Sequence, residues 1–518
     1  MATTGVTTRR APAAIPGTSA PPPRRRGRAR RMRWIGRLGA VALTVPAVAA
    51  AETDWEFTPR VTLGAELTDN VAFAPRGEEQ GDLMGLIRPG FTLSGESSRA
   101  TLDLEYSWES RFHQERGDLD RSRHRLRGQG RLELLRQTAF VEGYIRRDVR
   151  ADAPLQPIGP ENERETTRYR ISPFLLTRYG AFAEQELRYI FDEIRYHGTE
   201  RADQADLRAH RGRYRLSSGR AFDQLFWSLT AEASENRFDE ERRRPIERVN
   251  TEATAGYRVA RSLRLGASAG QGWNRVGDGP RRDTDSWSVN ADWSPSRATT
   301  LNARYGEVTF EIPPETVTRE RRSLTLRHRR QRATFSLSYR ERVTDWPELE
   351  RQVEVELDEL LDLPRFGDDF TVSFLRRSEQ DVSFTETWLA SWRYETGRST
   401  FGIGLLQREV DERIAFGQAG QERVDRDRRI DGLWRWGLGP YTDAILRGAY
   451  TRTDGTDRQG REVELDEWRT SVGLARDFGR RTRGIIEYRY RASERIRPRE
   501  RRQERRENLI SARVTMEF

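Results

Sequence analysis

The chain has 518 residues, of which 33% are charged and 35% are hydrophobic. It contains no Cys, which excludes disulfide scaffolds, thiol catalysis and Cys-ligated metal centres. It also has no apolar run long enough to form a transmembrane helix. The 13 Trp, 15 Tyr and 21 Phe set it apart from disordered chains, which are poor in aromatic residues. We therefore expect a fold that orders these rings despite the high charge content.

The formal net charge of +10 comes entirely from the start of the chain. Residues 1–51 contain ten Arg and no Asp or Glu, and removing these ten leaves 81 Arg against 81 acidic residues. A basic chain would otherwise suggest a nucleic-acid partner or an anionic surface. Because the excess is confined to this segment, we expect no nucleic-acid partner.

Residues 1–51 have the pattern of a basic N-terminal extension followed by a cleavable signal peptide. The basic stretch ends at Arg37, and residues 38–51 are uncharged and too short to span a bilayer. Met32 begins a more ordinary signal sequence and is a candidate start of translation. The alternative is a basic tail in front of a buried helix. Small residues suited to signal cleavage are Ala47, Ala49 and Ala51.

The rest of the chain, residues 52–518, repeats an alternation of apolar and polar residues. This period of two forms one apolar and one polar face on a strand, whereas a helix would scatter both around its axis. The pattern returns in about 22 stretches, joined by charged connectors. The first stretch places its apolar residues at Trp55, Phe57, Pro59, Val61, Leu63, Ala65 and Leu67.

Two architectures fit such strands, namely several soluble β-sandwiches or one membrane barrel. No linker divides residues 52–518, and the connectors alternate loosely between short and long. Aromatic residues near the strand ends match the girdles of a membrane barrel. They are Trp55, Phe57, Trp108, Trp293 and Phe310. We therefore predict a single-domain, all-β, antiparallel transmembrane outer-membrane β-barrel with an even number of about 18–22 strands.

The last residues strengthen this prediction. Apolar residues alternate with polar ones up to a terminal aromatic residue, which is typical of the assembly signal of bacterial outer-membrane proteins. We therefore expect outer-membrane lipid and the barrel assembly machinery as partners. The residues of this C-terminal signal are Ile510, Ala512, Val514, Met516 and Phe518.

Residues 61–71, VTLGAELTDNV, resemble the opening strand of the outer-membrane β-barrels associated with exosortase/PEP-CTERM systems. Residues 87–95 and 104–106 resemble the second and third strands of that family, although Leu67 stands where the family typically has Tyr. The resemblance implies a porin-like barrel linked to exopolysaccharide loci, with exopolysaccharide or its export components as partners. The family-like motif Thr68, Asp69 and Asn70 suits a turn that caps the first strand. A sugar-contacting or gating role is the alternative.

Motifs for catalysis are weak. Residues 266–270, GASAG, match the GxSxG pattern of hydrolases, but no helix follows and the stretch lies within an alternating strand. The five His are far apart and give no zinc-ligand spacing. No glycine-rich loop precedes a helix. We therefore predict no enzyme activity, no catalytic residues, no metal and no cofactor.

Two further features could shape a pore. Residues 345–369 contain ten acidic residues and two Arg, and suit an external loop, a short helix, a constriction inside the barrel or a misread strand. The polar face carries both signs of charge, and equal totals predict a hydrated wall that neutralises itself. Residues expected on this inward face include Arg60, Glu66, Asp103, Glu105, Glu184 and Arg188.

These features favour a porin-like or accessory barrel for exopolysaccharide export or surface display. The alternatives are a general diffusion porin for small solutes, a barrel-embedded hydrolase or lipid-modifying enzyme, and a purely structural barrel without a conducting path.

Overall fold

The computed structural model describes residues 54–151, 163–197, 206–239, 244–312, 315–345, 382–411, 424–456, 461–498 and 502–518. In this part of the chain, regular structure consists of 22 strands and one 3₁₀ turn at Gly117–Leu119. Within the same residues, no helix is long and apolar enough to cross a membrane.

The strands follow the predicted alternating stretches. The first eleven are β1 (Asp54–Thr68), β2 (Asp82–Glu96), β3 (Ala100–His113), β4 (Arg121–Leu135), β5 (Ala139–Ala151), β6 (Glu163–Tyr179), β7 (Ala183–His197), β8 (Leu207–Ser218), β9 (Leu225–Phe238), β10 (Ile246–Ala260) and β11 (Leu263–Val276). The others are β12 (Arg282–Ser296), β13 (Thr299–Ile312), β14 (Glu315–Arg330), β15 (Ala333–Asp345), β16 (Val382–Glu395), β17 (Ser399–Asp411), β18 (Val424–Gly439), β19 (Thr442–Thr456), β20 (Glu462–Asp477), β21 (Thr482–Ile496) and β22 (Gln503–Glu517).

The sheet closes on itself. Each strand pairs antiparallel with its neighbours in sequence, and β1 also pairs antiparallel with β22. This β1–β22 seam runs from Arg60 opposite Glu517 to Thr68 opposite Leu509. Because every strand has a partner on both sides, the sheet has no free edge strand, as a bilayer requires. The β14–β15 pairing is shorter than these strands and runs from Ser323 opposite Arg340 to Arg330 opposite Ala333. The predicted antiparallel barrel is confirmed, with 22 strands at the upper limit of the predicted range.

The two ends of the barrel differ. Connections after even-numbered strands are short, from two residues at 261–262 to six at 219–224. Those after odd-numbered strands extend up to 36 residues at 346–381. We call these the short-turn end and the long-loop end. Because the strand number is even, β1 starts and β22 finishes at the short-turn end.

Burial is inverted relative to a soluble protein. On β17 the neighbours Leu405 and Leu406 are 46% and 7% exposed, because successive side chains point to opposite faces. On β1, Trp55 is 48% exposed while Glu66 is 2% exposed. An apolar outside with buried charges inside is the arrangement of a membrane barrel, and it is opposite to that of a sandwich.

The apolar outer surface is tall enough to span a bilayer. On β1 the outward side chains are apolar from Trp55 to Leu67, and the next outward position is Asp69. These residues cover about 28 Å along the membrane normal, taking a rise of about 3.3 Å per residue and a strand tilt of about 45°. The hydrocarbon core of a bilayer is about 30 Å thick.

Aromatic side chains on β12, β13, β15 and β16 lie on the outer surface near the long-loop end. Their polar atoms donate hydrogen bonds to carboxylates that lie level with them or closer to the long-loop end, which suits a membrane–water interface. The pairs are Trp287 with Glu307 at 3.2 Å, Tyr305 with Glu320 at 3.4 Å, Trp388 with Glu386 at 2.9 Å, and Tyr339 with Glu341.

The prediction is wrong for one of the five residues expected in the aromatic girdles. Phe310 lies opposite Thr284 on the inner face and is 5% exposed. Phe310 follows the outward Tyr305 by five positions, and an odd offset along a strand places two side chains on opposite faces.

Candidate functional site

The inner wall of the barrel carries an ionic network across the β1–β22 seam. Glu66 on β1 lies 3.8 Å from an Arg111 nitrogen on β3 and 3.9 Å from an Arg513 nitrogen on β22. Arg513 is also 3.3 Å from Glu487 on β21. Charges of alternating sign therefore connect strands from both ends of the chain.

This network continues on β3 through Glu109, whose side chain is 1% exposed. Glu109 pairs with Arg111 at 2.8 Å and with Arg88 on β2. A carboxylate buried to this degree is stable only because guanidinium groups on both sides balance its charge.

A second buried cluster lies on β6 and β7. Asp192 accepts a bidentate pair from Arg168, with Nε–Oδ1 and Nη2–Oδ2 distances of 2.9 and 2.7 Å. Arg170 adds a contact to Oδ2 at 2.8 Å. Two parallel N–H···O bonds fix the orientation of both planar groups, so this part of the wall is rigid.

The six residues expected on the polar face lie there. Arg60 pairs with Glu105, and Glu184 pairs with Arg178 at 3.1 Å. Arg188 pairs with Glu142 at 2.6 Å. Asp103 accepts a hydrogen bond from Gln129 at 3.3 Å. The register places Glu66 and these residues on one continuous surface inside the barrel.

The two signs of charge are unevenly distributed in one sector of the wall. On β13, β14 and β15, the inward positions with described side chains hold arginines and no carboxylates. Their acidic residues with described side chains face outward instead, namely Glu307, Glu311, Glu320 and Glu341. The alternation of residues along each strand already separates these arginines from the acidic residues. The register across three strands is needed to see that the arginines share one inward surface. The inward arginines are Arg304, Arg319, Arg321, Arg327, Arg329, Arg340 and Arg342.

The family-like motif lies at the end of β1 and joins the connection that follows to β22. Thr68 donates a hydrogen bond to Glu507 at 3.0 Å. The fully buried Asn70 donates to the Arg506 carbonyl at 2.8 Å and accepts from the Ala74 backbone at 2.7 Å. The motif thus turns the chain as a cap would, and it also fastens the seam.

The β1–β2 connection also packs against the inner wall at the long-loop end. The ring of Phe73, which is 2% exposed, lies 3.9 Å below the Arg491 guanidinium. Val71 packs with Met84 and Leu509, which face inward. These apolar contacts inside the barrel were not predicted from the sequence.

The predicted C-terminal signal forms most of the outward face of β22. Ile510, Ala512, Val514 and Met516 pair with Leu67, Ala65, Leu63 and Val61 of β1. Phe518 is 61% exposed, and its backbone N–H donates to the Pro59 carbonyl at 2.9 Å. The structure brings these residues together, and their role in assembly stays a prediction.

Two other predictions lie outside the described residues. The cleavage residues Ala47, Ala49 and Ala51 precede β1, and the acidic segment 345–369 lies beyond the described part of β15 except for Asp345 at its end.

The GxSxG motif lies in the middle of β11. Ser268 points inward, is 7% exposed and shares a hydrogen bond of 2.9 Å with the Thr254 hydroxyl. A hydrolase nucleophile requires a base in this place, and a threonine hydroxyl is not one. Among the residues that the structure describes, no group of three or more His, Asp or Glu is arranged to hold a metal ion.

The first part of the barrel matches a known family model. Residues 53–177 match the family model described as "Putative beta-barrel porin 2", a stretch that covers β1 to β5 and most of β6. No curated protein sequence matches the chain significantly.

Solved outer-membrane proteins resemble the chain at low identity. The siderophore receptor PirA from Acinetobacter baumannii is 8% identical, with 89% of this chain and 80% of that chain covered and a TM-score of 0.47. OccAB4 from the same organism is 8% identical, with 89% and 98% covered and a TM-score of 0.31. OpdK from Pseudomonas aeruginosa, solved with vanillate, is 11% identical, with 89% and 99% covered and a TM-score of 0.30.

The protein is thus a closed antiparallel β-barrel with an apolar outside and an ionic inner wall, and its first strands are similar to those of a porin family.

Proposed function

We propose that this chain is a non-enzymatic, porin-like barrel of the Gram-negative outer membrane that serves exopolysaccharide export or surface display. The observation that carries the proposal is the partition of side chains, with Glu66 and Glu109 buried inside and Trp55 exposed outside. A polar wall enclosed by a closed sheet suits the passage of polar solutes. The family match at residues 53–177 supports a porin-like role.

The exopolysaccharide part of the proposal rests on the resemblance of residues 61–71 to barrels of exosortase/PEP-CTERM systems. The proposed route to the membrane is export with a cleavable signal peptide ending near Ala51, followed by insertion through the barrel assembly machinery. The membrane lipid then covers the apolar outer face.

The test is a gene deletion in the source bacterium, followed by measurement of secreted and surface-bound exopolysaccharide. We expect both to fall and to recover when the intact gene is restored. Normal exopolysaccharide in the deletion strain, together with slower uptake of small hydrophilic solutes, would favour the general diffusion porin instead. The porin family match is the observation that keeps this second function in consideration.

A further inference from the structure

The arginine sector on β13–β15 contains a guanidinium group without a carboxylate of its own. Among the described residues, Arg321 makes no ion pair and no hydrogen bond. Among the described residues, Arg304 and Arg342 repel its charge and Glu252 attracts it. Arg342 has an interaction of its own, whereas Arg321 is a guanidinium group on the inner face that pairs with no described carboxylate.

Glu252 is itself engaged. Its Oε2 accepts a hydrogen bond from Arg304 Nη2 at 2.9 Å, and Arg304 Nε donates to Ser288 at 2.8 Å. The Arg304–Glu252 pair thus uses the negative charge of Glu252. Arg321 forms no ion pair with any other carboxylate in the described part of the chain.

The neighbouring outward positions show the contrast. Arg322, the next residue along β14, faces outward and pairs with Glu320, with Glu341 at 4.0 Å. The same short stretch of sequence therefore pairs its outward arginine with carboxylates and leaves its inward arginine without one.

We propose that the inner wall around Arg321, next to Arg304, binds oxyanions and gives the barrel a preference for anionic solutes. The inference deepens the porin-like function proposed above and rests on it. Guanidinium groups bind carboxylate and phosphate oxygens in a planar, bidentate manner, and inward Arg residues favour anions in pores. The ligand class is a small oxyanion or the carboxylate groups of an acidic polysaccharide.

The first test measures reversal potentials of single channels in planar bilayers under a KCl gradient. We expect wild-type channels to pass chloride more readily than potassium. Arg321→Gln should lower the anion-to-cation permeability ratio by about twofold, because one fixed charge is removed from the wall. Arg322→Gln is the matched control and should leave the ratio unchanged. Channels that show no anion preference, or equal effects of the two variants, would overturn the inference while leaving the porin-like function intact.

The second test needs no open pore. The unfolding temperature of the detergent-solubilised barrel is measured in inorganic phosphate, in oligogalacturonate and in chloride at equal ionic strength. Binding at Arg321 should raise it for wild type and for Arg322→Gln, and less for Arg321→Gln. A rise with phosphate identifies small oxyanions, and a rise with oligogalacturonate alone identifies the polysaccharide. No anion-specific rise in wild type would overturn the binding site. An anion-specific rise in unfolding temperature without any measurable conductance would refute ion conduction but not anion binding.

Discussion

Both carboxylate oxygens of Asp69 accept hydrogen bonds from Asn508, one from its backbone N–H at 2.8 Å and one from its side-chain amide at 2.6 Å. The Asp69 backbone N–H in turn donates to the Asn508 carbonyl at 3.2 Å. These bonds extend the β1–β22 pairing one residue beyond Thr68 and Leu509. Residues from the two ends of the barrel sequence therefore hold the seam closed.

Asp69→Ala should weaken this closure. The variant loses two hydrogen bonds to a charged group, so we expect the free energy of unfolding to fall. The fall should be only about 1–2 kcal/mol, because the site is exposed. The measurement is the temperature at which the folded band disappears on SDS gels. Asp223→Ala, which removes an exposed ion pair with Arg258 far from the seam, is the control and should change little. Equal shifts for the two variants would show that the seam contact is not special.

Glu109→Gln should destabilise the barrel strongly. The substitution keeps the shape but leaves Arg88 and Arg111 without their shared carboxylate, at a cost of about 3–5 kcal/mol. Glu105→Gln is a control on the same face of β3, since Glu105 is half-exposed and pairs with Arg60 there. Its cost should not exceed about 1 kcal/mol. Denaturant unfolding in detergent measures both, and a small loss for Glu109→Gln would contradict a buried ionic wall.

A charged side chain on the outer face should destabilise the barrel more the deeper it lies in the bilayer. Leu405→Arg places a cation on the outward face of β17 and should cost about 2–4 kcal/mol of folding free energy in lipid. Gln407→Arg, two residues closer to the long-loop end and opposite Trp388, should cost about 0–1 kcal/mol. Unfolding equilibria in phospholipid vesicles compare the two. Equal costs would mean that this face does not contact the bilayer as described.

Phe518→Ala should reduce assembly more than stability. The side chain is largely exposed and its backbone hydrogen bond to Pro59 survives the substitution, so the assembled barrel should unfold at nearly the same temperature. The amount recovered in outer membranes should fall. Phe478→Ala, an equally exposed aromatic residue in a short turn, is the control and should assemble normally. Normal recovery of Phe518→Ala in outer membranes would contradict the role of Phe518 in an assembly signal.

Much of the fold was predictable because alternation determines which side chains share a face. The stripe from Trp55 to Leu67 and the C-terminal stripe ending at Phe518 each define a strand without knowledge of its neighbours. The contacts between side chains inside the barrel were harder to predict from the sequence. Leu433 and Ile445 form an apolar cluster on the inner wall with Ala475 and Ile485, because the pairing of β18 to β21 brings scattered residues together.

The candidate site shows the same limit. The turn-forming role of Asp69 and Asn70 followed from residue type, but their partners on β22 are far away along the chain and become neighbours only when the barrel closes. The arginine sector around Arg321 likewise depends on cross-strand register, since total charge in the barrel domain is balanced and hides the separation of signs between the two faces.

Heat-modifiability tests most directly whether this chain is an outer-membrane barrel. The protein is isolated from outer-membrane fractions and run on SDS gels with and without boiling. A closed sheet of 22 strands should resist SDS until it is heated, so the unboiled sample should give a faster-migrating band. Recovery in the soluble periplasm without a mobility shift would contradict the barrel and the inner wall built on it.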